Sequence, residues 1–221
     1  YWTDGTTNLS VAVPATTSTP FDIFYSLSAG TLSTVNWTND TTRATALAYS
    51  LGYLVKSGDI DKLYLGTGRT TTVSGQCEDS VTKRFIWSYY NRVEKKLAKT
   101  DTTDSWAYTT ATWRSANNST ANRVEVVIGV NEVIVDIWLS VYTSQSAAWP
   151  RAVGIGLDTT SANSATIKSK TGIVDPNLAT SLYRDYPGAG YHYFQWVEYS
   201  VASGTTTWYG DNGEPTFTQS G

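Results

Sequence analysis

Residues 123–142 constrain the fold more than any other part of this chain. Val124, Val126 and Ile128 alternate with their neighbours, and Gly129-Val130-Asn131-Glu132 supplies turn chemistry. Val133, Val135, Ile137, Leu139 and Val141 then alternate on the way back. A period of two over so many residues is incompatible with a helix, and it dictates strands with one apolar face. The other face of the second run carries Ile134, Asp136, Trp138, Ser140 and Tyr142. The two runs are expected to form a long central hairpin.

A second hairpin is expected over residues 191–209. Tyr191, Tyr193, Gln195, Val197 and Tyr199 share one face, and His192, Phe194, Trp196, Glu198 and Ser200 share the other. Ala202-Ser203-Gly204 turns the chain, and residues 205–209 return. Further strands are expected at 21–27, 31–37, 46–56, 62–69, 106–114 and 152–157. Residues 81–97 are ambiguous. Val81, Phe85, Tyr89, Val93 and Leu97 recur every four residues as on a helix, whereas Phe85, Trp87 and Tyr89 alternate. Aromatic enrichment favours strand.

Composition points the same way. The 221 residues include 35 Thr, 23 Ser, 15 Tyr and 9 Trp. Thr and aromatics suit a pleated, half-buried surface, so the expectation is an all-β chain, a two-sheet antiparallel β-sandwich of jelly-roll type. A chain of this length buries roughly 70% of its unfolded surface without disulfide or metal. Residues 1–20 read as an arm or linker and 21–221 as one domain. The start at Tyr1 without Met, and the polar tail, suggest a piece of a longer chain.

Several function classes are disfavoured. A net charge of −3 is too weak and of the wrong sign for non-specific nucleic-acid binding. No run reaches the ~20 apolar residues of a membrane-spanning helix. One Cys and one His cannot build a zinc site or a disulfide framework, and no cofactor fingerprint occurs. Gly66-Thr67-Gly68 lacks the third glycine of a dinucleotide loop. Asp101/Asp104 and Asp211/Asn212/Glu214 read as turns rather than calcium loops. Cys77 reads as packed or idle.

Two enzymatic schemes deserve weighing. Glycoside hydrolysis needs two facing carboxylates. Among Glu78, Glu94, Glu125, Glu132, Glu198 and Glu214, only Glu198 sits in a convincing aromatic strand frame, and it lacks an equal partner. A serine-hydrolase scheme rests on His192, the only histidine, and no Gly-x-Ser-x-Gly elbow accompanies it. The expectation is therefore no enzymatic activity and no catalytic residue. Sugar binding is the alternative, by aromatic faces with hydroxyl and amide groups. Trp37, Trp113, Trp149 and Trp208, near turns or strand ends, are the candidate ligand-binding residues.

Three stretches carry a resemblance: YLGTGRTTTVSGQCEDSVTKRFIWSYYNRV at 64–93, DSWAYTTATWRSANNSTANRVEVVIGV at 104–130 and GYHYFQWVEYSVASGTTTWYGDNG at 190–213. Together they resemble virion-surface domains of tailed bacteriophages and prophages, of the tail-fibre, head-fibre or structural-protein kind. That resemblance is one of phrases and their order, and it brings no active site with it. It implies a non-enzymatic structural module on the virion surface that attaches to bacterial surface polysaccharide. Its partners would be other virion proteins, further copies of itself as a homotrimer, and a surface glycan, with neither nucleic acid nor membrane insertion. A capsid or tail decoration protein without a ligand is the alternative, and a jelly-roll glycosidase using Glu198 a more remote one.

Overall fold

A computed structural model describes residues 9–165, 167–168, 170–171 and 176–211. The protein is all-β and antiparallel; among the described residues the only helix is one 3₁₀ turn, Ala116–Asn118. The chain packs as two compact units. The first holds the chain up to Lys95 together with Val126–Asn131 and Gly188–Tyr191, and the second holds Lys96–Glu125, Glu132–Pro187 and the chain from His192 onward.

The first unit is built on β1 (Pro20–Ser26), β2 (Leu32–Asn36), β3 (Leu47–Ser50), β4 (Tyr53–Lys56) and β5 (Asp59–Arg69) in the order β2-β1-β5-β4-β3. The short strand β6 (Lys83–Arg84) precedes β7 (Ile86–Ser88), and β7 pairs with β5. Strand β5 is served along one edge by β1 and along the other by β4 and then β7. The expected strand 46–56 is a hairpin, because Leu51 and Gly52 adopt φ of 51° and 84° and form the two-residue turn that suits twisted strands. The segment 81–97 forms no helix. Its aromatics Trp87 and Tyr89 pack with Phe24, Leu54 and Tyr64 in the core. Gly129 fits there for want of a side chain, since a Cβ would meet the Tyr64 hydroxyl and the Trp87 ring.

The second unit is a two-sheet sandwich. It contains β8 (Ser105–Tyr108), β9 (Arg114–Ser115), β10 (Arg123–Ile128), β11 (Val135–Gln145), β12 (Arg151–Leu157), β13 (Ile167–Lys168), β14 (Lys170–Thr171), β15 (Asn177–Asp185), β16 (Gly190–Tyr199) and β17 (Thr206–Tyr209). Strands β10 and β16 also lend residues to the first unit. One sheet runs β14-β12-β16-β10, with β9 also on β16, and the other runs β13-β15-β11-β17-β8. Their inner faces meet through Tyr183 and Phe194, 5.0 Å between ring centroids, and through buried Arg151, whose Nε donates to Thr143 Oγ1 at 2.6 Å.

Both expected hairpins are corrected here. Strand β10 lies beside β16, whereas β11 lies between β15 and β17; β16 and β17 likewise belong to different sheets. The turns at 129–134 and 200–205 are corners that carry the chain from sheet to sheet. Alternation sets which face of a strand is apolar but not which strand lies next to it. Two apolar faces cover each other better across a sandwich than edge to edge. From β10 to β17 every connection changes sheet. The expected strand 106–114 is also two strands, β8 and β9.

Candidate functional site

Glu198 lies on the inner face of β16 and is completely buried. Its Oε1 accepts from Arg114 Nε at 2.8 Å and pairs with Arg114 Nη2 at 2.7 Å, while its Oε2 accepts from Trp106 Nε1 at 2.7 Å. Arg114 stacks on the Tyr108 ring at 3.8 Å, and Trp106 meets Trp196 edge-on at 5.5 Å. Burial pushes the carboxyl up to about 7, opposed by the Trp106 and Arg114 hydrogen bonds and the Arg114 charge. Both oxygens are engaged, so neither is aimed at a substrate. Among the other glutamates, Glu125 is buried beside Arg123 at 3.1 Å and Glu78 pairs with Lys83 at 3.3 Å. Glu94 and Glu132 are on the surface, and Glu214 lies outside the described residues.

His192 is buried with Nδ1 2.8 Å from Asp158 Oδ2, and Nε2 has no hydrogen-bond partner in the protein. No nucleophile is joined to it. Cys77 is half-buried, and burial raises its thiol pKa, which works against nucleophilicity. Asp101 is also structural. It accepts from Thr103 N at 2.8 Å and from the amides of Asn117 and Asn122, and these hydrogen bonds outweigh its burial and hold its pKa low. Among the described residues no group of three or more His, Cys, Asp or Glu side chains is gathered as a metal site would require.

The four candidate tryptophans fare differently. Trp208 is fully buried on β17, opposite Trp106 and Thr143, and Trp37 is buried beneath the Arg43 guanidinium at 4.3 Å. A ring without an open face cannot stack on a sugar, so burial removes both from consideration. Trp113 is half-buried against Tyr199 at 5.4 Å. Trp149 is exposed in the connection after β11.

The aromatic surface lies instead on the outward face of the β15-β11-β17 sheet. Trp138 is 62% exposed and Tyr142 is 43% exposed. Two residues apart along one face of β11 at each step, they flank Ser140 and stand ~13 Å apart along the strand. Leu182, Thr180 and Leu178 lie opposite Trp138, Ser140 and Tyr142 on β15. Tyr209 on β17 packs its ring 5.7 Å from Tyr142 and its hydroxyl 3.2 Å from Ser144 Oγ. Asp136 and Arg184 close one end with an ion pair at 3.2 Å. The signal was present in the alternation, which puts Trp138 and Tyr142 opposite the apolar face. Proximity to turns was the poorer guide.

Beside Trp138 opens a pocket of about 40 Å³. Val124, Ile137, Leu139, Ile155 and Phe194 line it with Lys99, Asn122, Arg123 and Trp196. Comparison with known proteins finds no matching family model, no matching curated protein and no matching solved structure.

Proposed function

We propose that the chain is a non-enzymatic module of a bacteriophage virion surface, in a tail or head fibre, that attaches to bacterial surface polysaccharide. The observation that carries this is the outward face of β11, β15 and β17, where exposed Trp138 and Tyr142 alternate with Ser140, Thr180 and Thr207. Flat rings receive the apolar face of a sugar, and hydroxyls between them receive its equatorial oxygens. A fibre presents several copies, as a homotrimer would, and avidity then rises ~100-fold or more without new contacts. The engagement of both Glu198 oxygens supports a role without turnover.

The second unit is read as a jelly roll. Its support is the strand order β10-β16-β12-β14 facing β11-β15-β13, with the chain changing sheet at every connection.

The test is binding of the intact oligomer to purified bacterial surface polysaccharides and whole cells. Saturable binding to one glycan, weakened at least tenfold by Trp138→Ala with Tyr142→Ala at unchanged melting temperature, is expected. No binding by the wild type, or equal binding by the double variant, overturns it.

One observation favours the decoration reading instead. The β3–β4 turn in the first unit presents Leu51 at 92% exposure between exposed Tyr49 and Tyr53. An apolar tip of this kind suits burial against another protein of the particle. The chain should then bind particles that lack it, with no glycan bound, and Leu51→Asp should abolish that binding; equal binding by the variant removes this reading.

A further inference from the structure

The spacing and the charge of the outward β15-β11-β17 face restrict what can lie on it. Its exposed rings, Trp138 and Tyr142, project from the same side of one strand, four residues and so ~13 Å apart. Each is a separate anchor. Trp138 stands opposite Leu182 on β15. Tyr142 stands opposite Leu178, which is 53% exposed, and beside Tyr209, whose ring plane is tilted 55° from its own, so that the two tyrosines form an angled cradle. Between the anchors lie Ser140 and, directly opposite it, Thr180. From Trp138 to Ser144 every outward position on β11, β15 and β17 is uncharged. Charge returns only one step beyond Trp138, at the Asp136–Arg184 ion pair.

A single sugar cannot cover both rings at that distance, and two adjacent sugars fall short of it. At least one residue must lie between the two that stack. A reader of chain ends needs a pocket that closes around the terminal residue. The pocket near Trp138, about 40 Å³, is too small for a sugar ring, and the rings themselves stand on an open sheet face. An open row of anchors suits a chain that runs past on both sides. The hydroxyls between the anchors donate and accept, which matches the hydroxyls of an uncharged sugar. A uronate chain would gain nothing from this stretch. The nearest arginine is already paired with Asp136, and the chain as a whole carries a net charge of −3.

We infer that this face takes the interior of a linear, uncharged glycan lying along β11, with one residue stacked on Trp138, another on Tyr142, and the stretch between them hydrogen-bonded to Ser140 and Thr180. This rests on polysaccharide attachment as the activity of the sheet face, and it names the class of chain recognised there and the part of it that is read.

The experiment measures affinity and stoichiometry by calorimetry at low and high salt. The probes are purified neutral and uronate-containing bacterial surface polysaccharides and the graded oligosaccharides that partial hydrolysis gives from each. A neutral chain should bind weakly as a mono- or disaccharide and at least tenfold more tightly once it reaches three or four residues, because the second ring is then met by the same molecule. Its affinity should change little with salt. The number of sites per chain should grow with chain length. Trp138→Ala and Tyr142→Ala, each made singly, should remove the rise with length at unchanged melting temperature. The wild-type series stands alone if either variant fails to fold. The inference is overturned if a mono- or disaccharide binds as tightly as a longer chain, if each chain holds one site whatever its length, or if a uronate chain binds best and weakens with salt. Each of these results would spare polysaccharide attachment itself. Failure of every polysaccharide with the oligomer intact would strike the proposed function, and this inference with it.

Discussion

Each unit of this protein buries a carboxylate against an arginine, and the two are held in different ways. In the first, Asp22 accepts from Arg43 Nε at 2.8 Å, from Arg43 Nη2 at 3.2 Å and from Thr67 Oγ1 at 2.7 Å. Arg43 is itself boxed in, donating to the Gly129 carbonyl and lying over the Trp37 and Tyr64 rings. Thr67 and Tyr64 share a further hydrogen bond at 2.6 Å, and burial together with the Asp22 charge drives the Tyr64 phenol's pKa upward. In the second unit Glu198 is buried as deeply, but its arginine is more exposed, with a side-chain accessibility of 28% against 15% for Arg43. Its carboxyl is pushed up to about 7. One acid is locked into a closed network of arginine, threonine and tyrosine; the other sits where a proton competes with an ion pair.

The sharpest way to break this contrast is to remove the arginines. Arg43→Ala leaves Asp22 buried without its charge partner and should cost about 3–5 kcal/mol in denaturant unfolding at pH 7. Arg114→Ala should cost much less at pH 5 than at pH 8, because Glu198 can take up a proton in place of its partner. Equal costs at both pH values would mean that the two carboxylates are held alike.

The pH dependence of the wild type comes next in size. The folded value for Glu198 lies above the ordinary carboxylate value of 4.5, so folding retains a proton that the unfolded chain releases. The associated stability is complete below pH 4.5 and is lost as pH rises through about 7. A shift of this size corresponds to about 3 kcal/mol. Unfolding curves across that window should show the decline in wild type and not in Glu198→Gln. A variant that keeps the slope would assign it to another group.

Gly129→Ala tests the network from its packed side. The added methyl group meets the Tyr64 hydroxyl and the Trp87 ring, and overpacking of this sort should cost about 1–3 kcal/mol. The smallest effect is expected at the outward face, where Trp138→Ala should change stability by less than about 0.5 kcal/mol. A larger loss there would make Trp138 part of the framework and not a contact surface.

How much of this was legible depends on which question is put to the residues. Alternation correctly named the buried set Val135, Leu139 and Val141, and it correctly set Trp138 and Tyr142 on the other side. It could not say that β10 and β11 part company, because period-two patterning is the same for a hairpin and for a corner. The run 46–56 concealed a turn at Leu51-Gly52, where a leucine occupies a backbone region that glycine and asparagine prefer. Trp208 was misjudged for a related reason. It stands near a turn, but β17 is flanked by β11 and β8, and flanking on both edges helps to bury it. The aromatic-lined strand around Glu198 was recognised; that Arg114, 84 residues away, and Trp106, 92 residues away, would claim its oxygens was not. Partners at such separations leave no local trace.

The sheet-changing path of the second unit also bears on how the protein comes into being. Strand β17 is held at one edge by β11 and at the other by β8, so Ser105 pairs with Tyr209. Neither sheet can be assembled from neighbouring segments of chain. During synthesis, residues 105–108 must wait without their partner until residue 209 has left the ribosome. Sandwiches dominated by such distant pairings fold in roughly milliseconds to seconds. A ribosome that stalls before that point holds a second unit whose β8 edge is open, the state in which a threonine- and aromatic-rich chain is most apt to find a strand on another nascent copy.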